Sequence, residues 1–497
     1  MDALGLAAGA LTLLAILLIT QFMKLRGAAR RLPPGPTPLP ILGNLWSLKF
    51  TLHHETLMQL TKKYGNTVTV WVGESPIVVL HGYEAVRDAL VTSSEATNNR
   101  PLIPTLKDYA NGRGVSFSNG NTWKQQRRFC VMVLRNLGTG KKTLEQRIQE
   151  EARHMVEHFT SQQGTPTNLF SLIECYVSNV MSSVVFGHRF DINDSSFHHL
   201  IEDAGYITYF LGSVWSQVHN AFPWLARNFL GPSKTLNAHL ERINSYVKKE
   251  IKEHQEKPES EPQDIIDFYL DQMSKNKGDK ESTFDDANLF QLVIDFFIAG
   301  SESVTTTLMW ALLYMIKYPD IQAKVQKELD FVLSGSQTIC YEDNKRLPYT
   351  KAVIHEIQRY CNLVPFGVPH QCGHHTTIQG FNIQKGTIIL ANWSSVMYDP
   401  KYWEKPQQFN PNRFLDQDGK FVNQKAFLPF SAGQRMCPAE QMARTELFIF
   451  FSNLLREFTF QLPDAGGKIN LGYVYGLTLK PHPCQIRALV RQPAAHQ

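Results

Sequence analysis

The chain has 497 residues, 43% of them hydrophobic and 19% charged, with a formal net charge of +5. That balance describes a globular protein with a large buried core, and so mild a charge points away from nucleic-acid binding. The seven cysteines (130, 175, 340, 361, 372, 437 and 484) form no CxxC pair and are odd in number. This speaks against a disulfide framework and for a reducing compartment.

From Ala3 to Met23 the chain is almost wholly apolar and carries no charge. As a helix this stretch spans about 30 Å, enough to cross the hydrocarbon core of a bilayer. Lys24, Arg26, Arg30 and Arg31 follow at once, and only Asp2 precedes it. The positive-inside rule then puts the N-terminus in the lumen and the rest in the cytosol. A cleaved signal peptide is the rival reading. Such a peptide carries its positive charge before the apolar stretch and a small-residue cleavage site after it, and this one has neither. Gly5 and Gly9 have the GxxxG spacing that can pair anchor helices, although small residues also recur there by chance.

Residues 24–40 read as a basic and proline-rich linker, stiffened by Pro33, Pro34, Pro36 and Pro38. This leaves 1–23 as anchor and 41–497 as one domain. Thr67–Val72 and Pro76–Leu80 read as a hairpin turning near Gly73. Apolar periodicity predicts helices over Lys141–Phe159, Lys234–Glu256, Asp286–Lys317 and Pro319–Val332. The segment Phe210–Leu230, with Trp215, Phe222, Trp224 and Phe229, suits either a membrane interface or the core. The polar stretch Lys252–Lys280 reads as a surface loop. Short strands rich in Pro and Gly return after Leu363. The fold class is therefore mostly α with a small β-rich part, α+β.

The chemistry concentrates near the C-terminus, in Phe430-Ser431-Ala432-Gly433-Gln434-Arg435-Met436-Cys437-Pro438-Ala439-Glu440. A helical pattern runs on from Met442 to Leu455. A helix N-terminus just after Cys437 would favour its thiolate through backbone N–H groups and the helix dipole. Pro438 suits the first helical position, and Gly433 permits a tight loop. Any lone cysteine would by default be a buried thiol. The string around Cys437 reverses that default.

It resembles the haem-binding signature FxxGxRxCxG of the cytochrome P-450 superfamily at Phe430, Gly433, Arg435 and Cys437, with Ala439 replacing the last glycine. Further matches follow in family order across nearly the whole chain. Glu356 and Arg359 form an ExxR pair one helical turn apart, with apolar flanks that favour burial, and Arg413 occupies the third place of that structural triad. Ala299-Gly300-Ser301-Glu302-Ser303 resembles the oxygen-activation motif, with Ser303 where threonine is usual. Gly300 would leave room beside the iron, and Glu302 with its hydroxyl neighbour Ser303 would relay protons. Trp123 and Arg127 match WxxxR.

The resemblance implies the cytochrome P-450 haem-thiolate fold on a single transmembrane helix, with haem b as cofactor and Cys437 as axial ligand to its iron. It implies haem contacts from Trp123, Arg127, His370, Arg435, Arg100 and Ser431. It also implies a substrate pocket lined by Ala299, Val364, Pro365, Phe366, Val368 and Leu477. The implied reaction inserts one oxygen atom of O2 into an apolar xenobiotic or fatty acid such as arachidonic acid. The chain has no GxGxxG of its own, so electrons from NADPH must come through a partner. That partner would be NADPH–cytochrome reductase, with cytochrome b5 as a second candidate, at the endoplasmic reticulum membrane. Lys124, Arg127, Arg128, Lys141 and Lys142 are candidates for the basic docking surface, and Gln434 stands where relatives often carry lysine. Two readings from other classes stay open: a haem-thiolate isomerase that needs no reductase, and a non-catalytic membrane haem binder. The spacing in Cys372-Gly373-His374-His375 matches no standard zinc site.

Overall fold

The computed structural model describes residues 3–48, 50, 52–139, 144–257, 261–333, 338–464 and 467–491. Among the described residues, two helices are long and apolar enough to cross a bilayer, and burial separates them. In the span Leu6–Ala29 the apolar window is 0% buried, whereas in Asp286–Lys317 it is 83% buried. The first is a candidate membrane span; the second is the central helix of the core. The anchor helix runs Ala3–Ala29, six residues beyond the expected end at Met23. Lys24 and Arg26 therefore belong to the helix, not to the linker. Gln21 Nε2 donates to Glu74 Oε1 at 2.6 Å, so the anchor touches the first hairpin.

That hairpin pairs Thr67–Val72 antiparallel with Ser75–His81, in the register Val70↔Ile77. Ser75–His81 then runs parallel to Ile388–Asn392, and His370–Gln371 closes the sheet antiparallel to that strand. Both faces of Thr67–Val72 are buried, and its sequence is rich in the β-branched residues that suit a packed strand. Pairing of His370 with Ile389 fixes where His370 can point.

Helix boundaries follow the apolar periodicity closely where packing continues to the helix end. Asp286–Lys317 and Pro319–Val332 form as expected, and Lys234–Glu256 becomes Gly231–Gln255. Lys141–Phe159 becomes Leu144–Ser161; Lys141 and Lys142 lie outside the described residues. The stretch 252–280 is not one loop. Ile265–Lys275 is helical because Asp264 caps it, accepting from Asp267 N at 2.9 Å, and because Ile265, Ile266 and Tyr269 are buried. Phe210 joins the core, but Trp224 and Phe229 are 70% and 64% exposed.

The ExxR helix, Pro348–Cys361, carries the most constrained charge in the molecule. Glu356 and Arg359 are both fully buried. Arg359 Nε and Nη2 donate to Glu356 Oε2 and Oε1 at 2.7 and 2.8 Å. The guanidinium also donates to the carbonyls of Met397, Pro406 and Gln408. Glu356 Oε1 accepts from Asn410 N at 2.8 Å, and Arg413 Nε lies 3.4 Å from the same oxygen. The expected triad is thus assembled. Arg413 also donates to backbone carbonyls of the segment that leads toward Cys437.

Removing one partner strands a buried charge, which costs roughly 3–5 kcal/mol. Glu356→Ala and Arg359→Ala should therefore lower Tm strongly in thermal unfolding followed by circular dichroism. An unchanged Tm would show that the pair does not hold this segment.

Candidate active site

A cavity of about 390 Å³ opens between the central helix and the Cys437 loop, and residues from both line it. Cys437 follows a one-turn helix at Gly433–Arg435, and its N–H donates to Phe430 O at 2.9 Å. The loop has little freedom. Gly433 sits at φ +76, and a Cβ there would come within 1.7 Å of Leu90 O. Ser431 takes φ +68 and lines the cavity.

Two expectations around the cysteine change. The following helix begins at Glu440 with Ala439 as its cap residue, so Pro438 precedes the helix and does not occupy its first turn. Ala439 has φ −103 and ψ 20, a backbone conformation that any L-residue adopts, so its departure from glycine brings no strain. Burial raises the Cys437 thiol pKa, and the Ala439 N–H opposes that shift. The thiol alone is therefore protonated at neutral pH, and a metal would have to displace the proton.

Three arginines meet at the same cavity. Arg435 Nε donates to Asn98 O and Nη2 to Ser118 O, each at 2.7 Å, and its guanidinium carbon lies 4.1 Å from the Trp123 ring centroid. Arg100 donates to the carbonyls of Ser116, Val368 and Pro369. Arg127 Nη1 donates to Met436 O at 2.8 Å. Every one of these acceptors is a neutral carbonyl, and among the described residues none of the three arginines pairs with a carboxylate. Burial, then the neighbouring arginines, lower Arg435 to about 8 and Arg100 to about 9. Concentrated and uncompensated, this charge suits an anionic group.

His370 Nδ1 lies 2.8 Å from Thr97 O. A carbonyl only accepts, so Nδ1 carries the proton. Burial first, then Arg100, hold the ring neutral. Its Nε2 can therefore donate to an anion only as the imidazolium.

On the central helix, Ala299, Gly300, Glu302 and Ser303 all line the cavity. Gly300 lines the cavity, and a Cβ there would lie 2.3 Å from Met181 Sδ, so the missing side chain also admits Met181 of the neighbouring helix Leu169–Val185. Glu302 and Ser303 are not hydrogen-bonded to each other. Ser303 Oγ donates back to Ala299 O at 2.8 Å, while Glu302 Oε1 accepts from Thr478 Oγ1 at 3.0 Å and Thr306 Oγ1 at 3.4 Å. Adjacent helical side chains diverge, whereas residues four apart face each other.

Val364, Phe366, Val368 and Leu477 line the cavity as expected. Pro365 is not among its lining residues, and its carbonyl accepts from Ser394 N. The cavity also takes in Tyr109, Phe117, Phe296, Asp295 and Glu446, which sequence reasoning missed. Asp295 and Glu446 had a readable signal, a lone acid inside an apolar helical run. Glu446 is fully buried, its Oε2 has no partner, and burial lifts its pKa well above the ordinary value. Asp295 accepts from Val115 N, Ser116 N and Gln291 Nε2, yet burial still lifts it to about 6.

A model of the cytochrome P450 family matches residues 33–488. The chain belongs to the cytochrome P450 family. It is 40% identical over 468 residues to cytochrome P450 2J2 of Homo sapiens, covering 94% of this chain and 93% of that protein. To cytochrome P450 2C14 of Oryctolagus cuniculus it is 42% identical over 447 residues, covering 90% and 91%. To cytochrome P450 2D27 of Mesocricetus auratus it is 40% identical over 502 residues, covering 98% and 99%.

As a cytochrome P450 the protein is a haem-dependent monooxygenase, with haem b as cofactor. The residues present fit that group. A cavity with a thiol in its wall and a carboxylate-free arginine cluster matches a macrocycle that carries two carboxylates.

Two measurements probe the cavity wall of this P450. Gly300→Ala should cost about 1–3 kcal/mol by overpacking, and combining it with Met181→Ala should recover part of that loss; strict additivity would show no contact. A carboxyl lifted to about 6 adds stability below its unfolded value of about 3.9, and that contribution fades as pH rises through the folded value. Asp295→Asn, neutral throughout, should flatten the decline of Tm across that window, and an unaltered curve would show that Asp295 does not titrate there.

Proposed function

We propose that Cys437 would be the thiolate ligand of the haem iron and that the carboxylates of the haem would rest on Arg100, Arg127 and Arg435, with Trp123 backing Arg435 and with His370 joining them once the bound anion has made it an imidazolium. The observation that carries this reading is the cluster of three arginines with no acid, on the same cavity as the cysteine. Bound there, the haem would supply O2 activation, and a thiolate ligand from Cys437 would support it by electron donation.

The chain's own residues do the rest. Phe117, Phe296, Phe366, Val364, Val368 and Leu477 exclude water and hold an apolar substrate by burial. Glu302 presents a carboxylate at the cavity, held by Thr478 and Thr306, and passes protons to the reacting oxygen. Ser303 Oγ, released from Ala299 O by a rotamer change, brings a hydroxyl into the same space.

Electrons come from NADPH through NADPH–cytochrome reductase, with cytochrome b5 as a second donor, at a surface that includes the exposed Lys124 and Arg128. The substrates are apolar xenobiotics and polyunsaturated fatty acids such as arachidonic acid, hydroxylated or epoxidised. The anchor places the domain on the cytosolic face of the endoplasmic reticulum. Exposed Trp46 (70%), Trp224 and Phe229 support its resting on lipid. The sequence holds two glycosylation sequons, Asn193-Asp194-Ser195 and Asn392-Trp393-Ser394; Asn392 is fully buried, so Asn193 is the one that reports orientation.

Reduced protein with CO should show the red-shifted Soret band of thiolate ligation, and Cys437→His should abolish it. A histidine-like band in the native chain would refute the ligand. Product from arachidonic or linoleic acid should require both NADPH and the reductase. Turnover without them would favour an isomerase, and no product with them a non-catalytic haem binder. Ser303→Ala should raise peroxide released per NADPH consumed.

A further inference from the structure

A second cavity, of about 210 Å³, lies between the ExxR helix Pro348–Cys361 and the helix Glu440–Glu457 that follows Cys437. Ile354, Leu447 and Phe448 line it and are buried, which gives it an apolar floor. Asn423, which also lines it, is exposed.

Lys351 and Arg444 bring positive charge to the same space. Arg444 is held on two sides. Its Nη2 pairs with Glu440 Oε1 at 2.8 Å, and its Nη1 lies 3.1 Å from His355 Nε2. His355 Nδ1 lies 2.8 Å from Lys351 O. A carbonyl only accepts, so Nδ1 carries the proton and Nε2 accepts from Arg444. Burial, then Arg444, push the His355 pKa down to about 3 and keep the ring neutral. Glu440 thus offsets Arg444, and Lys351 is left over. Lys351 Nζ sits 4.3 Å from the Phe421 ring centroid and pairs with no carboxylate among the described residues. Burial, then Arg444 and Lys345, lower its pKa; an anion beside it would oppose both effects.

A second group is also without a partner. Gln358 is 8% exposed and lines the cavity, yet its side-chain amide makes no hydrogen bond among the described residues. Buried amides are nearly always partnered. Gln358 stands seven residues after Lys351, on the same helix face and about 10 Å further along the axis. The cavity is therefore cationic at one end, polar at the other and apolar between. Its volume falls below the roughly 300–1,000 Å³ of sites for drug-sized ligands, which suits an occupant of one ring. Water filling the space would satisfy Gln358 but leave Lys351 without a counter-charge.

We propose that this cavity is a second ligand site, for a small aromatic carboxylate with a polar group opposite its acid. The carboxylate sits on Lys351 and Arg444, the ring on Ile354, Leu447 and Phe448, and the far polar group on the Gln358 amide. Gln358 and Leu447 line the haem cavity as well. One layer of side chains divides the two spaces, so an occupant that fixes Gln358 alters the wall of the haem cavity. Binding in one cavity then changes affinity in the other, by the same factor in both directions.

The test uses the full-length, haem-loaded chain in phospholipid vesicles, with 4-hydroxybenzoate as probe and calorimetry as readout. Imidazole, which ligates haem iron, is kept saturating so that the haem cavity is filled. One saturable site per chain is expected. Lys351→Met should weaken binding roughly tenfold through loss of a charge-assisted contact, and Lys351→Arg should restore most of it. Benzoate, without the hydroxyl, should bind the native chain more weakly than 4-hydroxybenzoate, and Gln358→Leu should erase that difference. Acetate, without the ring, should bind weakest. In a separate spectral titration, 4-hydroxybenzoate should shift the imidazole midpoint by a factor that levels off at saturation. Absence of binding, native affinity in Lys351→Met, failure of arginine to rescue, or acetate binding as well as the aromatic acids would each overturn the site. A midpoint shift that grows without limit would show competition for the haem cavity and overturn it too. A midpoint indifferent to the probe would overturn the coupling through Gln358 and Leu447.

Discussion

A guanidinium surrounded by five acceptors in a dry interior has one geometry, and Arg359 imposes it on three pieces of chain at once. Its bond to Glu356 neutralises the charge, and its remaining N–H groups hold the carbonyls of Met397, Pro406 and Gln408. Those segments lead directly to Asn410, Arg413 and the loop that ends in Cys437. Because buried ionic groups must be fully partnered, the position of this non-helical stretch is set as rigidly as that of a core helix. The cysteine loop therefore meets the central helix at a fixed separation, and a cavity remains between them.

Within that cavity the charges divide by sign. Arg100, Arg127 and Arg435 gather where only carbonyls oppose them, and Asp295, Glu302 and Glu446 are distributed along the walls. No oppositely charged contact joins the two sets among the described residues. Positive charge without a counter-ion in the interior is costly, so the arginine cluster is a strong sign that the folded protein carries an anionic group there. The acids are each stabilised differently: Asp295 by backbone N–H donors, Glu302 by two threonine hydroxyls and Lys480, Glu446 by staying neutral. One cavity thus holds an acid-free arginine cluster, a hydrogen-bonded tie to segment 114–116 and an acid paired with Lys480.

Much of this was legible because the chemistry depends on short spacings. The i, i+3 placement of Glu356 and Arg359 put both on one helix face before any fold was known. Gly433 two residues before Arg435, and Arg435 two before Cys437, described one tight loop. The anchor was legible from length and charge alone. Packing added what spacing along the chain does not hold. Glu302 and Ser303 both line the cavity without bonding to each other, Gly300 also makes room for Met181, and Pro365 is not among the lining residues that its neighbours join.

By itself, then, the sequence determined the family, the buried ion pair and the long apolar N-terminal helix, since each rests on residue type at a fixed separation along one element. Tertiary structure alone decided which acids face the cavity and what holds them. Thr478 and Lys480 reach Glu302 across 176 and 178 positions of chain, and Asp295 meets Val115 across 180. Such pairings depend on how a hairpin and a loop pack against the central helix, and no periodicity along the chain encodes that meeting.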